Sequence, residues 1–240
     1  MFRVLFLIFI LLSGRAQASI DLELAAQYQE TYAEGLLRSA DITLVGLANL
    51  FEFSENNSIN DLIIHNSLNR TVKRVPGLRA LFTTTVDGKL QYDSFRYPTR
   101  NMNLKDRAYV HKAFGLKENE LYIGKPIRNT FANFDSLPLS RPIFSEKGYI
   151  KGVAVAIMTP DHLIKRDKVC VKCVVSIYKT TGEKITSFPS SFVDFPDVQS
   201  LMKDYKPNVP FKIDINKLRT QSLWIPFNDY ELVLVYSYFE

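Results

Sequence analysis

The chain has 240 residues, 46% of them hydrophobic and 23% charged, and a formal charge of +5 to which Arg3 and Arg15 near the amino terminus contribute. This composition supplies core for one large domain or two small ones and excludes a disordered or low-complexity chain. Lys and Arg are scattered rather than gathered into a stripe, which excludes a nucleic-acid surface.

The chain opens with Met1-Phe2-Arg3, an unbroken apolar run from Val4 to Leu12, a Ser13-Gly14 break and the small-residue pattern Ala16-Gln17-Ala18. A run of roughly ten residues is half of what a bilayer span needs. It has the pattern of a secretory leader. Residues 1–18 are therefore expected to be a signal peptide, with a periplasmic or secreted destination, and with retention as an anchor as the alternative. From Ile20 to about Phe53, Leu22, Ala25, Ala26, Tyr28, Tyr32, Leu36, Leu37, Ala40, Leu44, Leu47 and Phe51 recur at helical spacing. A second helix is expected from about Ile59 to Lys73, ending ahead of Pro76-Gly77. Residues 19–77 thus read as a helical stalk.

Strands follow. Leu78–Thr85 and Lys89–Phe95 flank an Asp87-Gly88 hairpin turn. Asn103 with Asp106 three residues on reads as a helix start, with the helix running to about Phe114. Strands are expected at Leu121–Ile127, Leu139–Phe144 and Tyr149–Met158, and a short helix after Thr159-Pro160-Asp161. The pattern repeats in shorter form: a Val169–Tyr178 and Glu183–Phe188 hairpin, a helix near Asp194–Tyr205, and strands at Phe211–Ile215, Ser222–Pro226 and Tyr230–Tyr238. The expected fold is α+β, with modules at 78–166 and 167–240 of five strands each.

Cys170 and Cys173 form one C-x-x-C. If both lay in an extended strand they would face opposite sides, roughly 10 Å apart, beyond disulfide reach. Structural thiols, a local disulfide at a distorted strand start, and metal or redox work remain the alternatives. No phosphate loop, zinc-protease or nucleophile-elbow motif is present, and His65, His111 and His162 fall in separate elements. The chain is expected to be no enzyme and to need no cofactor.

Several segments together carry a likeness: Asn103-Leu-Lys-Asp-Arg-Ala-Tyr109, Tyr122-Ile-Gly-Lys-Pro126, Ser140-Arg-Pro-Ile143, Gly148-Tyr-Ile-Lys-Gly-Val153, and the Tyr178–Glu183 hairpin. In their order and spacing the sequence resembles the double Cache domain (the PDC, PAS-like sensor fold), nearest the sensor region of membrane diguanylate cyclases. Val110 stands where that family usually carries an aromatic residue. The resemblance implies two PAS-like modules, with a small-molecule pocket in the first, membrane-distal one. The sequence stops at Glu240 with no output domain, so the expectation is a sensor that signals through a partner, a membrane receptor or envelope protein. A ligand-free interaction subunit of an envelope complex is the alternative, and solute delivery to a permease ranks behind both.

Candidate ligand contacts follow from residue chemistry. Arg107 offers a planar donor fork for a carboxylate, and on a helix His111 would share its face. Tyr109 supplies an amphipathic wall. Tyr92 and Asp93 are candidates for a ligand amine, and Arg128 and Arg141 on nearby strands can point inward or outward. The ligand class is a carboxylate or an amino-acid-like anion. The bland alternative is that Arg107 pairs with Asp106 or Asp93 to pin the helix.

Overall fold

A computed structural model describes residues 2–57, 59–117, 120–129, 134–190 and 197–240. The first helix, α1, runs over Phe2–Asn57, so helical backbone extends through the amino-terminal apolar segment as well as the expected stretch from Ile20. Among the described residues no helix is long and apolar enough to cross a membrane. The chain divides into two compact units: residues 1–34 with 164–240, and residues 35–163. The expected stalk is thus shared between the two.

In the unit of residues 35–163, α2 (Asp61–Arg74) starts at Asn60, whose side chain accepts from the Leu62 amide. This is ordinary N-capping, and Lys73 and Arg74 suit the helix's negative end. The sheet comprises β1 (Leu78–Thr85), β2 (Leu90–Asp93), β3 (Tyr122–Ile123), β4 (Ile127–Asn129), β5 (Phe134–Phe144) and β6 (Ile150–Met158). Its order is β2-β1-β6-β5-β3, with β4 also on β5, all antiparallel. The hairpin turn brings Gly88 to a φ of 78°, and a Cβ there would meet the Lys105 backbone at 2.6 Å. Only glycine fits that turn.

Two expectations need correction in this unit. It has six strands, not five, because β4 pairs with a β5 that begins five residues earlier than expected. Pro138 sits between the stretch paired with β4 and the stretch paired with β3, where no amide donor is required. The helix expected from Asn103 is α3, Ala108–Ala113. Asn103 instead accepts from the Lys105 amide in an Asx turn, which competes with helix formation. Arg107 is the N-cap, with extended φ −73° and ψ 127°.

Strand alternation organises the core. Phe82, Val153 and Val155 pack with Leu104, Val110 and Ala113 on the α3 face. On β5, Leu137, Leu139 and Ile143 are buried. Arg141 shares their side of the strand and pairs with Asp41 of α1 through both its Nε and its Nη2, the latter at 2.8 Å.

The other unit has β7 (Cys173–Lys179), β8 (Lys184–Phe188), β9 (Phe211–Ile215), β10 (Leu218–Pro226) and β11 (Leu232–Phe239) in the order β8-β7-β11-β10-β9. Helix α4 (Val198–Asp204) is capped by Asp197, and residues 194–196 of its expected span lie outside the described residues. Leu201 packs with Tyr178, Phe211, Trp224 and Val235. Gln29 of α1, fully buried, exchanges two 2.9 Å hydrogen bonds with the Lys165 backbone. Cys170 and Cys173 form a disulfide. The strand begins at Cys173, and Cys170 lies in a turn closed by the Cys173 amide on the Cys170 carbonyl. The turn shortens the Cα separation to 5.0 Å, so the argument from an extended strand does not apply.

Candidate functional site

The 35–163 unit holds a cavity of about 460 Å³, within the range of small-molecule sites. Alternation along β1 turns Ala80 and Phe82 into it, and Leu90 and Ile157 complete the apolar floor. The segment between β2 and α3 forms one wall, and Ile127, Arg128 and Ser136 of β4 and β5 form the other.

Four of the six expected contacts lie along this cavity: Asp93, Arg107, Tyr109 and Arg128. Asp93 is 3% exposed. Its Oδ1 accepts from the Phe95 amide at 2.8 Å, while Oδ2 is buried with no hydrogen-bond partner among the described residues. Arg100 Nη2 stands 3.7 Å from that oxygen. A buried carboxylate oxygen without a donor is costly unless something else satisfies it. Arg107 makes no ion pair with Asp93 or Asp106, so the pinning alternative does not hold, and its guanidinium is exposed at the cavity. Tyr109 packs edge-on against Phe82 with centroids 6.3 Å apart, and its carbonyl accepts from Ser140 Oγ at 2.6 Å. Burial pushes the Tyr109 phenol above its ordinary pKa, and the positive charge of Arg107 opposes that shift.

Two expected residues are not part of this lining. His111 lies on the exposed side of α3, because Arg107 precedes the helix and the shared-face argument fails. Arg141 is engaged by Asp41. Tyr92 also points away: it opposes Thr83 rather than Phe82, and its hydroxyl lies 3.0 Å from Ser54 Oγ.

Sequence reasoning missed Arg100 and Phe95, which stack as a cation over a ring at 5.9 Å. Phe95 closes the expected strand Lys89–Phe95, which in the structure ends at Asp93, and Arg100 lies in a segment without hydrophobic period. The only signal there was an arginine shortly after the strand that carries Asp93. Altogether three guanidiniums and one carboxylate surround an apolar floor. This arrangement can hold a carboxylate, and it offers one buried acceptor to an ammonium group. Among the described residues no group of side chains could hold a metal ion.

No protein-family model and no curated protein matches the sequence. Solved structures do match over nearly the whole chain. One is the extracellular domain of a protein described as a histidine kinase, rpHK1S-Z16, with a TM-score of 0.80, 18% identity, and 94% of this chain and 95% of that one covered. The chain has a double Cache fold. Two chemoreceptor ligand-binding domains share that fold. Tlp3 of Campylobacter jejuni, in complex with 4-methylisoleucine, has a TM-score of 0.67, 13% identity, and coverage of 94% of this chain and 91% of that one. The amino acid chemoreceptor PctC of Pseudomonas aeruginosa, in complex with GABA, has a TM-score of 0.68, 13% identity, and coverage of 92% and 99%. Two of these neighbours are thus ligand-binding domains of chemoreceptors, and the third is an extracellular domain.

Proposed function

We propose that the protein is an exported sensor that binds a small amino-acid-like ligand in the cavity of its 35–163 unit and reports occupancy to a partner protein. The observation that carries the reading is Asp93: a buried carboxylate whose Oδ2 has no hydrogen bond and only a 3.7 Å ion pair with Arg100, in a cavity lined by Arg100, Arg107 and Arg128. An ammonium group on the ligand satisfies that oxygen, and the ligand carboxylate takes an arginine fork. Structural neighbours in complex with 4-methylisoleucine and GABA support this chemistry. The finer kinship, with the sensor regions of membrane diguanylate cyclases, rests on the order and spacing of the segments at 103–109, 122–126, 140–143, 148–153 and 178–183. The disulfide fits export, since such bonds persist in oxidising compartments.

The test is a thermal-shift screen of residues 19–240 against amino acids, GABA, short carboxylates and amines. Ligand at about a hundredfold excess over its dissociation constant stabilises a folded protein by about 2.7 kcal/mol, a shift of several degrees. The reading expects amino acids to raise the melting temperature. A flat response to the whole panel sinks it and turns attention to a ligand-free interaction subunit.

A further inference from the structure

β2 is the edge strand of its sheet. An edge strand leaves the backbone groups on its outer side without ladder partners. At the end of β2 two side chains of α2 supply them. His65 Nδ1 lies 2.7 Å from the Asp93 carbonyl, and Asn69 Nδ2 donates to the Ser94 carbonyl at 3.1 Å. A carbonyl only accepts, so Nδ1 carries the proton in this contact. On the inner side the Ser94 amide donates to the Leu81 carbonyl at 2.9 Å, and the Leu81 amide donates to Ser94 Oγ at 2.8 Å. Asp93 and Ser94 are 3% and 2% exposed. Their backbone is therefore held from both sides, with α2 on one and β1 on the other.

We propose that His65 and Asn69 are positioning residues: by gripping the carbonyls of Asp93 and Ser94 they aim the Asp93 carboxylate into the cavity and thereby set its selectivity for ligands that carry an ammonium group. The inference rests on the amino-acid reading of that cavity. Hydrogen bonding to a carboxylate is steep in distance and angle. With the His65 donor removed, a buried carbonyl loses its partner and the strand end shifts to find another. The carboxylate moves with it. His65 also leans on Tyr97 with centroids 5.7 Å apart, and Arg100 stands 3.7 Å from Asp93, so the near end of that segment follows the strand. Arg107, at the start of α3, and Arg128, on β4, lie on elements that these two side chains do not hydrogen-bond, and they keep the carboxylate end of a ligand in place.

The experiment compares matched pairs by calorimetric titration of the folded chain: L-valine against 3-methylbutanoate, and GABA against butanoate. Within each pair only the amine differs. Wild type is expected to prefer the amine-bearing member. His65→Leu should cut that preference by about tenfold while leaving the affinity for the deaminated acid within about twofold. His65→Asn, whose Nδ2 falls near the place of the histidine Nδ1, should restore most of it. Asn69→Leu should act in the same direction and carries the test if His65→Leu shows no cooperative melt. A His65→Leu variant that keeps the full preference, or that weakens both members of a pair equally, overturns the proposal while the sensor reading stands. A wild type that prefers neither amine overturns the amino-acid reading and this inference with it.

Discussion

Arg141→Met separates two roles that an arginine near a pocket can have. The guanidinium grips Asp41 through two nitrogens, and the side chains are 11% and 20% exposed. Exposed pairs contribute up to about 1 kcal/mol, and breaking a fully buried pair by removing one partner costs about 3–5 kcal/mol. A two-pronged pair that retains some exposure falls between, so Arg141→Met should destabilise the 35–163 unit by about 2–3 kcal/mol. That corresponds to a fall of roughly 6–10 °C in its melting temperature. Most of the cost is the stranded Asp41 carboxylate. The double variant Arg141→Met/Asp41→Leu should therefore recover much of the loss, beyond what two independent changes would give. Thermal unfolding followed by circular dichroism measures the stability, and titration at a temperature where each variant is folded measures binding. The account expects lower stability with unchanged affinity for amino acids. Unchanged stability with lost affinity would make Arg141 a ligand contact and refute the reasoning.

Asp93→Asn removes the charge from the amine subsite and should weaken L-valine or GABA by about 10- to 100-fold, and Arg107→Ala should weaken the same compounds and their deaminated acids alike; equal affinities in wild type and variants would remove these residues from the site. Glu30 on α1 has its pKa raised to about 7 by burial first and then by the hydrogen bond and negative charge of Glu34, with Thr31 opposing. The folded state thus favours the protonated form, so the stabilising contribution is present below the ordinary value of 4.5 and is lost as pH rises through about 7. Glu30→Gln should match wild type in melting temperature near pH 4 and exceed it at pH 8; an equal difference at both pH values would show that the carboxyl does not titrate in this way. Replacing Cys170 and Cys173 by Ser opens the small disulfide loop and should cost about 2 kcal/mol by loop entropy, and a thiol titration of unfolded, unreduced protein should find no free thiol.

Much of the architecture was legible because it rests on local chemistry. The helical period of Leu22 through Phe51, the Asp87-Gly88 turn and the β-branched runs place α1, β1, β2 and most of the second sheet without tertiary information. One miss comes from a side chain that competes with local pattern. Asn103 and Asp106 have the spacing of a capping box, yet Asn103 folds back on Lys105, and this moves Arg107 off the helix and leaves His111 on the solvent side. The sixth strand was missed because the expected strand Leu121–Ile127 divides into β3 and β4, which pair with two stretches of a longer β5 on either side of Pro138. Once β5 is begun at Phe134, alternation alone puts Arg141 with Leu137, Leu139 and Ile143, on the face opposite Ser140. Arg100 had no such signal, since its place beside Asp93 is created by the path of a loop. Asp93 itself was a reasonable candidate at a strand end, but its buried, half-satisfied carboxylate is a tertiary property.

The most direct measurement is a crystal structure of the chain with the amino acid that gives the largest thermal shift. The account predicts the ligand in the cavity of the 35–163 unit, its ammonium nitrogen about 3 Å from Asp93 Oδ2 and its carboxylate against one or more of Arg100, Arg107 and Arg128. A ligand bound elsewhere, or one in this cavity with its amine turned away from Asp93, would contradict it.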